Sequence, residues 1–256
     1  MKLTFLGTGT STGVPQLRCG CPTCISSDHR DKRLRASVLL ECANGTNLLV
    51  DCGPDFYHQM LVMPRDLNLS ALLITHQHYD HVGGMDDLRP YCKNGIDFPI
   101  YCQADVERNL RERMPYAFAA KAYPGVPHFS FHTITPLSPF YIDGIEILPL
   151  PVNHYKLEIV GFRIGNMAYI TDAKHVPKET INAIKGIDTL IINALRPEPH
   201  ISHLSLSESL NVIAEIAPRR AYLTHISHDM PPYAETQTQL PPAVSLAYDR
   251  LQLTIP

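Results

Sequence analysis

Residues 76–81 read His-Gln-His-Tyr-Asp-His, straight after the apolar run Ala71-Leu72-Leu73-Ile74-Thr75. The run is short, mostly aliphatic and ends without a helix cap, so it is predicted to be a buried strand. Four groups able to bind metal then sit on the loop where the strand ends, a usual place for a site on a rigid scaffold. Imidazoles with a carboxylate suit zinc, manganese or iron. The bland alternative is a surface loop that is His-rich by chance, in a chain holding 13 His. The same local grammar recurs elsewhere, which weighs against chance. Ala168-Tyr169-Ile170-Thr171 leads to Asp172, Ala221-Tyr222-Leu223-Thr224 leads to His225, and Pro151-Val152-Asn153 leads to His154. A sheet that ends such strands along one edge gathers their ligands there. Three His, two Asp and the pair His78/His81 are enough for two metals.

The chain of 256 residues, 45% hydrophobic, can fill a real core, and we expect one domain over 1–256 with a small Cys-rich zinc loop at 18–29. A net charge of −3 with 18% charged residues provides no long cationic track, which argues against a dedicated nucleic-acid binder. Met1-Lys2 leads directly into Leu3-Thr4-Phe5-Leu6, too short for the core of a signal peptide. No apolar stretch approaches the roughly 18 residues that span a bilayer. Seven Cys, an odd number, point to reduced thiols and metal binding rather than disulfides. The expected compartment is the cytoplasm.

Strands are predicted at 2–6, 36–42, 46–51, 71–75, 98–102, 129–134, 139–142, 145–150, 158–164, 167–171, 187–193, 219–224 and 249–255. Asn44-Gly45, Asp143-Gly144 and Gly165-Asn166 supply turns between neighbours. Helices are predicted at 54–62, 83–93, 104–114, 177–185 and 205–216, the last opened by the capping box Ser205-Leu206-Ser207-Glu208. Strands with interspersed helices give a layered α/β domain. Prolines cluster at 115–127 and 230–242, segments expected to face substrate or a homodimer partner.

The order His-x-His-x-Asp-His, then a distant His, Asp and His, resembles the metallo-β-lactamase superfamily over essentially the whole chain. The resemblance implies an α/β fold, a four-layer αβ/βα sandwich of mixed sheets with metals at one edge between them. It implies two catalytic divalent metals, zinc or manganese: His76, His78 and His154 on the first, Asp80, His81 and His225 on the second, Asp172 bridging. Asp51 matches a carboxylate that hydrogen-bonds a ligand His from behind. Such a pair of ions yields hydroxide near neutral pH and neutralises charge on a phosphoryl or carbonyl oxygen, so the implied chemistry is hydrolysis. Redox di-iron relatives carry Glu at the position of His78, which disfavours electron transfer. Phosphodiesterase members place a catalytic His between the last Asp and the last His. In Pro199-His200-Ile201-Ser202-His203-Leu204-Ser205, His203 fits that role as general acid better than His200, acting with Asp80 and Asp172.

A second cluster, Arg18-Cys19-Gly20-Cys21-Pro22-Thr23-Cys24, sets three thiols where Gly20 and Pro22 bend the chain so that they can converge on a tetrahedral ion. A fourth ligand is needed, and nearby in sequence only His29 offers one. A redox pair or inert thiols are the alternatives. Here the resemblance narrows to the cyclic phosphodiesterases of the bacterial carbon–phosphorus lyase pathway, which share the spacing and the Gly-rich opening Gly7–Gly13. They draw the fourth ligand from a His three residues beyond the last catalytic one, here His228, which implies one structural zinc. Cys42, Cys52, Cys92 and Cys102 are scattered and expected in the core. Gly7–Gly13 lacks the spacing of a nucleotide phosphate loop.

The expected function is hydrolysis of a small phosphodiester, of a cyclic ribose or nucleotide type, by a metal-bridging hydroxide. An RNA 3′-processing nuclease and a glyoxalase-type thioester hydrolase are the alternative enzymes. An inactive metal-binding scaffold is the alternative that is not an enzyme.

Overall fold

The computed structural model describes residues 1–256 apart from 93–95, 120–122 and 124. With strands numbered along the chain, one sheet runs β14 (Gln252–Thr254), β1 (Lys2–Gly7), β2 (Ser37–Glu41), β3 (Asn47–Val50), β4 (Ala71–Leu73), β5 (Phe98–Cys102), β6 (Phe129–Thr133). The other runs β13 (Val244–Leu246), β12 (Arg220–Thr224), β11 (Thr189–Asn193), β10 (Met167–Ile170), β9 (Leu157–Ile164), β8 (Ile145–His154), β7 (Phe140–Ile142). Both are mixed in the same way, antiparallel at one end and parallel at the other: β1 to β3 and β7 to β10 antiparallel, β3 to β6 and β10 to β13 parallel.

Alternation along each strand sorts its side chains into layers. Leu40, Leu48, Val50, Ala71 and Leu73 meet Val160, Phe162, Tyr169 and Ile191 between the two sheets. Their neighbours Leu39, Leu49, Leu72 and Ile74 face outward onto Phe56, Val106 and Leu110 of the helices Phe56–Leu61 and Ala104–Arg113. Ala168, Ile170, Leu190, Ile192 and Leu223 face the other way, onto Ile181, Ile213 and Ile216 of the helices Lys178–Ala183 and Leu206–Ile216. The result is helices, sheet, sheet, helices: the four-layer sandwich that was expected. Strands covered on both faces read as continuous apolar runs, which is why 71–75 and 187–193 were legible. Truncating one of these leucines, such as Leu73→Ala, is expected to cost about 2–5 kcal/mol.

The structure departs from the sequence reading in several places. The expected helix 83–93 is a 3₁₀ helix over Met85–Tyr91 containing Pro90, which has no N–H to donate to an α-helical ladder; its last residue, 93, lies outside the described residues. The strand expected to stop at 150 continues to His154, because pairing with β9 carries it through Pro149 and Pro151. The segment 230–242 holds the helix Tyr233–Gln239, followed by β13, which was not foreseen. In 115–127, a 3₁₀ turn covers Pro115–Phe118, and 120–122 and 124 lie outside the described residues. Among the described residues no helix is long and apolar enough to cross a membrane.

Candidate metal centre

Five strands deliver side chains to one edge of the sandwich. Asp51 follows β3, His76 lies three residues beyond β4, His154 closes β8, Asp172 lies two beyond β10, and His225 follows β12. Asp51, Asp172 and His225 adopt left-handed backbone angles, φ 61°, 56° and 54°. Asp and His tolerate that region better than most side chains. The turn ends each strand at the residue whose own carboxylate or imidazole enters the centre or braces it. His78 precedes a one-turn helix, Tyr79–Val82, that buries Asp80 and His81. A methyl group on Gly53 would lie 2.1 Å from the Asp80 carbonyl oxygen, so the loop reaches its place only over a glycine.

The ligating atoms of His76, His78 and His154 lie within 4.8 Å of one another, as do those of Asp80, His81, Asp172 and His225. Asp172 also forms such a group with His154 and His203, so it stands between the two sets. His76 Nε2 is 2.9 Å from His78 Nδ1. His81 Nε2 is 3.2 Å from both Asp80 Oδ2 and Asp172 Oδ2, and His225 Nε2 is 3.1 Å from Asp172 Oδ1.

The rings are aimed from behind. His81 Nδ1 donates to Asp51 Oδ2 at 2.7 Å, which turns Nε2 inward. Asp51 is held in turn by the Thr75 backbone N–H at 2.9 Å and by the Thr75 hydroxyl at 2.9 Å. That hydroxyl also accepts from His76 Nδ1 at 3.0 Å, and His154 Nδ1 donates to the Ser202 carbonyl at 2.8 Å. The Thr in the strand grammar therefore has a purpose: Thr75 orients His76, and Thr171 donates to Asp172 Oδ2 at 2.6 Å. The Thr224 hydroxyl is buried without a partner, and the explanation does not extend to it.

The residues fit divalent cations. His81 Nε2 and both ring nitrogens of His225 are buried with no hydrogen-bond partner, an arrangement that costs free energy unless an ion takes the lone pairs. Burial, with the neighbouring rings, holds His76 well below the usual imidazole range, and burial also lowers His78 and His154, which leaves them neutral. Burial opposes charge on Asp172 and Asp80, but His225 and His81 for the first, and His81 and His225 for the second, hold both below the carboxylate range. For His81, burial is outweighed by Asp80, Asp172 and Asp51, and the ring is held well above its usual range. A buried carboxylate pair ringed by imidazoles without thiolates suits zinc or manganese.

His203 lies against this centre. Its Nε2 is 3.0 Å from Asp172 Oδ1, and its ring stacks on His225 with centroids 5.0 Å apart and planes 16° from parallel. Burial lowers its pKa against the pull of Asp172. His200 is one step further out, with its Nδ1 3.2 Å from the Ser202 hydroxyl and 3.2 Å from His203 Nδ1. A cavity of about 420 Å³ opens beside His78 and His154, lined also by Tyr155, Lys156, Leu157 and Ser202. Sequence reading missed Ser202, Tyr155 and Lys156: no motif announces a backbone carbonyl or a hairpin tip.

The second cluster forms apart from the first. Cys19, Cys21, Cys24 and His228 offer ligand atoms within 4.8 Å of one another, and His228 Nδ1 lies 3.4 Å from Cys19 Sγ and 3.6 Å from Cys21 Sγ. His29, the neighbour in sequence, instead packs edge-on against Tyr248. All seven cysteines are free. Burial pushes the Cys24 thiol up to about 11. At Cys21 burial is outweighed by hydrogen bonds from the Cys24 backbone and from His228, and the thiol falls to about 6. Cys52 and Cys102 are buried as expected, whereas Cys42 and Cys92 are only partly covered.

Residues 46–226 match the family model described as the beta-lactamase superfamily domain. The crystal structure of a diphosphatase from the PhnP family aligns over 100% of this chain and 98% of its own, with a TM-score of 0.91 and 36% identity. Zinc-bound PqqB from Methylobacterium extorquens aligns over the full length of both chains with a TM-score of 0.82 at 21% identity, a likeness of fold. An octanoyltransferase of Porphyromonas gingivalis is 39% identical over all of this chain and 52% of its own length. The chain spans about half the length of the first curated relatives it matches.

Proposed function

This chain belongs to the beta-lactamase superfamily and is related to the PhnP family; on that premise we propose a metal-dependent hydrolase, a dinuclear phosphodiesterase acting on a small diester of the cyclic ribose or nucleotide type. The observation that carries this reading is Asp172, whose carboxylate stands between two groups of ligand atoms and 3.0 Å from His203 Nε2. His76, His78 and His154 would hold one divalent ion, and Asp80, His81 and His225 the other, with Asp172 shared between them. When bound, two zinc or manganese ions would supply an acidified water and neutralise charge on the phosphoryl oxygens. The chain's own residues do the rest. Asp51 and the Ser202 carbonyl fix which nitrogen of His81 and His154 faces the centre. His203 presents Nε2 at the edge of the centre, where a proton on it can pass to the departing alkoxide oxygen. Cys19, Cys21, Cys24 and His228 would hold a structural zinc, so one loop after β12 serves both sites through His225 and His228.

The Porphyromonas relative motivates a second reading, hydrolysis of an acyl thioester, although the likeness covers only half of that protein. Leaving-group chemistry separates the two. His203→Ala is expected to lower kcat/KM on an alkyl phosphodiester by roughly 10²–10⁴-fold, and on bis-nitrophenyl phosphate by far less, because nitrophenolate departs without a proton. Thioesters should be poor substrates and nearly indifferent to the change. Equal losses on all three would remove His203 as the acid, and rapid thioester hydrolysis would favour the second reading. Rapid turnover of an RNA 3′ extension would favour the nuclease.

A further inference from the structure

Four residues around the centre that are not glycine hold left-handed backbone angles, and three of them have a role in it. Asp51, Asp172 and His225 turn there to aim a carboxylate or an imidazole. The fourth is Tyr155, φ 55°, next to His154. It opens a two-residue loop, Tyr155-Lys156, closed by the pair His154↔Leu157 of β8 and β9. Positive φ in so short a hairpin is the province of Gly, Asn and Asp, and a bulky aromatic side chain is strained in it. The residue is also 53% exposed, so burial does not compensate. Backbone strain of this kind concentrates at functional sites.

What lies around the ring says what it would meet. Tyr155 and Lys156 line the cavity of about 420 Å³ on the side of His78 and His154. Lys156 Nζ lies 5.4 Å from the centre of the Tyr155 ring. Lys174 and Lys178 are taken by Glu208 and Glu215, whereas Lys156 pairs with no carboxylate among the described residues. The cavity mouth thus offers an exposed aromatic ring, with Lys156 over one of its faces, and a cation that no carboxylate neutralises, both within two residues of a candidate metal ligand.

We propose that Tyr155 and Lys156 form the specificity platform of this site: the Tyr155 ring stacks on a planar base carried by one arm of the diester, and Lys156 faces the anionic phosphodiester oxygens. The inference rests on the phosphodiesterase reading and narrows its substrate class to diesters bearing a nucleobase. An aromatic face is suited to this because every base has a π-face to stack on it, with little demand for sequence. Tyr155 and Lys156 are binding and positioning residues; the proton transfer stays with His203.

The test uses the metal-loaded full chain with two substrates, adenosine 2′,3′-cyclic phosphate and the ringless glycerol 1,2-cyclic phosphate. Tyr155→Gly should raise KM for the adenosine substrate by roughly 5- to 100-fold, as loss of one stacked base would, with kcat changed much less and the glycerol substrate affected least. Because Gly accepts the hairpin angle without strain, the same variant should keep or raise the melting temperature. Tyr155→Phe should retain the KM of the unmodified chain. Lys156→Gln should raise KM for both substrates alike, by an amount that shrinks as salt is added. If both diesters are turned over but Tyr155→Gly shifts their KM equally, or lowers the melting temperature, the ring is structural and only the platform is wrong. If the unmodified chain hydrolyses neither diester, the phosphodiesterase reading fails and takes the platform with it.

Discussion

The His/Asp centre and the Cys loop are two candidate metal sites built on opposite principles. In the first, the candidate ligands come from four strand ends, β4, β8, β10 and β12, and the short helix after β4, most of them buried and braced by Asp51, Thr75 and Ser202. In the second, three thiols lie within six residues and are closed by one distant ring, with Cys19, Cys21 and His228 only half-buried. The braced site should keep its shape whether or not metal is bound, since hydrogen bonds and core packing hold its side chains. The loop site has little else to hold it, and there metal binding contributes folding free energy directly. A site prepared in advance suits catalysis, where reorganisation costs rate, and a site completed by its ion suits a staple.

The largest effect that tests this contrast falls at the residue shared between the two ligand groups. Asp172→Ala should lower turnover by more than roughly 10³-fold, while leaving the metal of the Cys loop in place by elemental analysis. A fully active Asp172→Ala protein would refute the shared-ligand arrangement. Next comes Asp51→Asn, which removes the charge behind His81 but keeps its shape; metal affinity or activity should fall by roughly 10–100-fold, the usual cost of losing a partner behind a ligand. If metal content and rate are both unchanged, the bracing of the first site is not what prepares it.

Cys21→Ser should act in the opposite sense, mainly on stability. One equivalent of metal should be lost and the melting temperature should fall, by about 2–4 °C for each kcal/mol that the staple contributes in a chain of this size. Turnover per folded molecule with a filled catalytic centre should change little. A large loss of turnover at unchanged melting temperature would make the thiols redox or catalytic groups.

The smallest expected effect is in the acid limb of metal retention. Thiolate is the binding form of cysteine, and the Cys21 thiol, at about 6, protonates as the pH falls through that value, while Cys24, at about 11, must give up a proton to bind at all. His76, His78 and His154 are held below the usual imidazole range, so they stay unprotonated to lower pH. Lowering the pH of loaded protein stepwise, with metal release followed by a chromogenic chelator, should empty the Cys loop before the His76/His78/His154 group. His81, held well above its usual range, gives the other group no such advantage. Release from the His76/His78/His154 group first would reverse that order.

What could be read from the chain alone was whatever is encoded between neighbours. A doubly covered strand is a continuous aliphatic run, a capping box is four residues long, and a ligand that directly follows its strand travels with it. Hence the four layers, the helix Leu206–Ile216 and the convergence of the four strand-end residues His76, His154, Asp172 and His225 were legible. What only the tertiary structure decided depends on groups far apart in sequence. The spacing of the thiols by itself offered His29, the resemblance implied His228, and it is the fold that brings His228 beside the thiols from a loop 209 residues from Cys19. The extension of β8 through two prolines to His154 needed β9 as a partner. The left-handed turns at Asp51, Asp172, His225 and Tyr155 carry no glycine to announce them. They persist because the packing and hydrogen bonds around the sheet edge hold a backbone geometry that local preference would not choose.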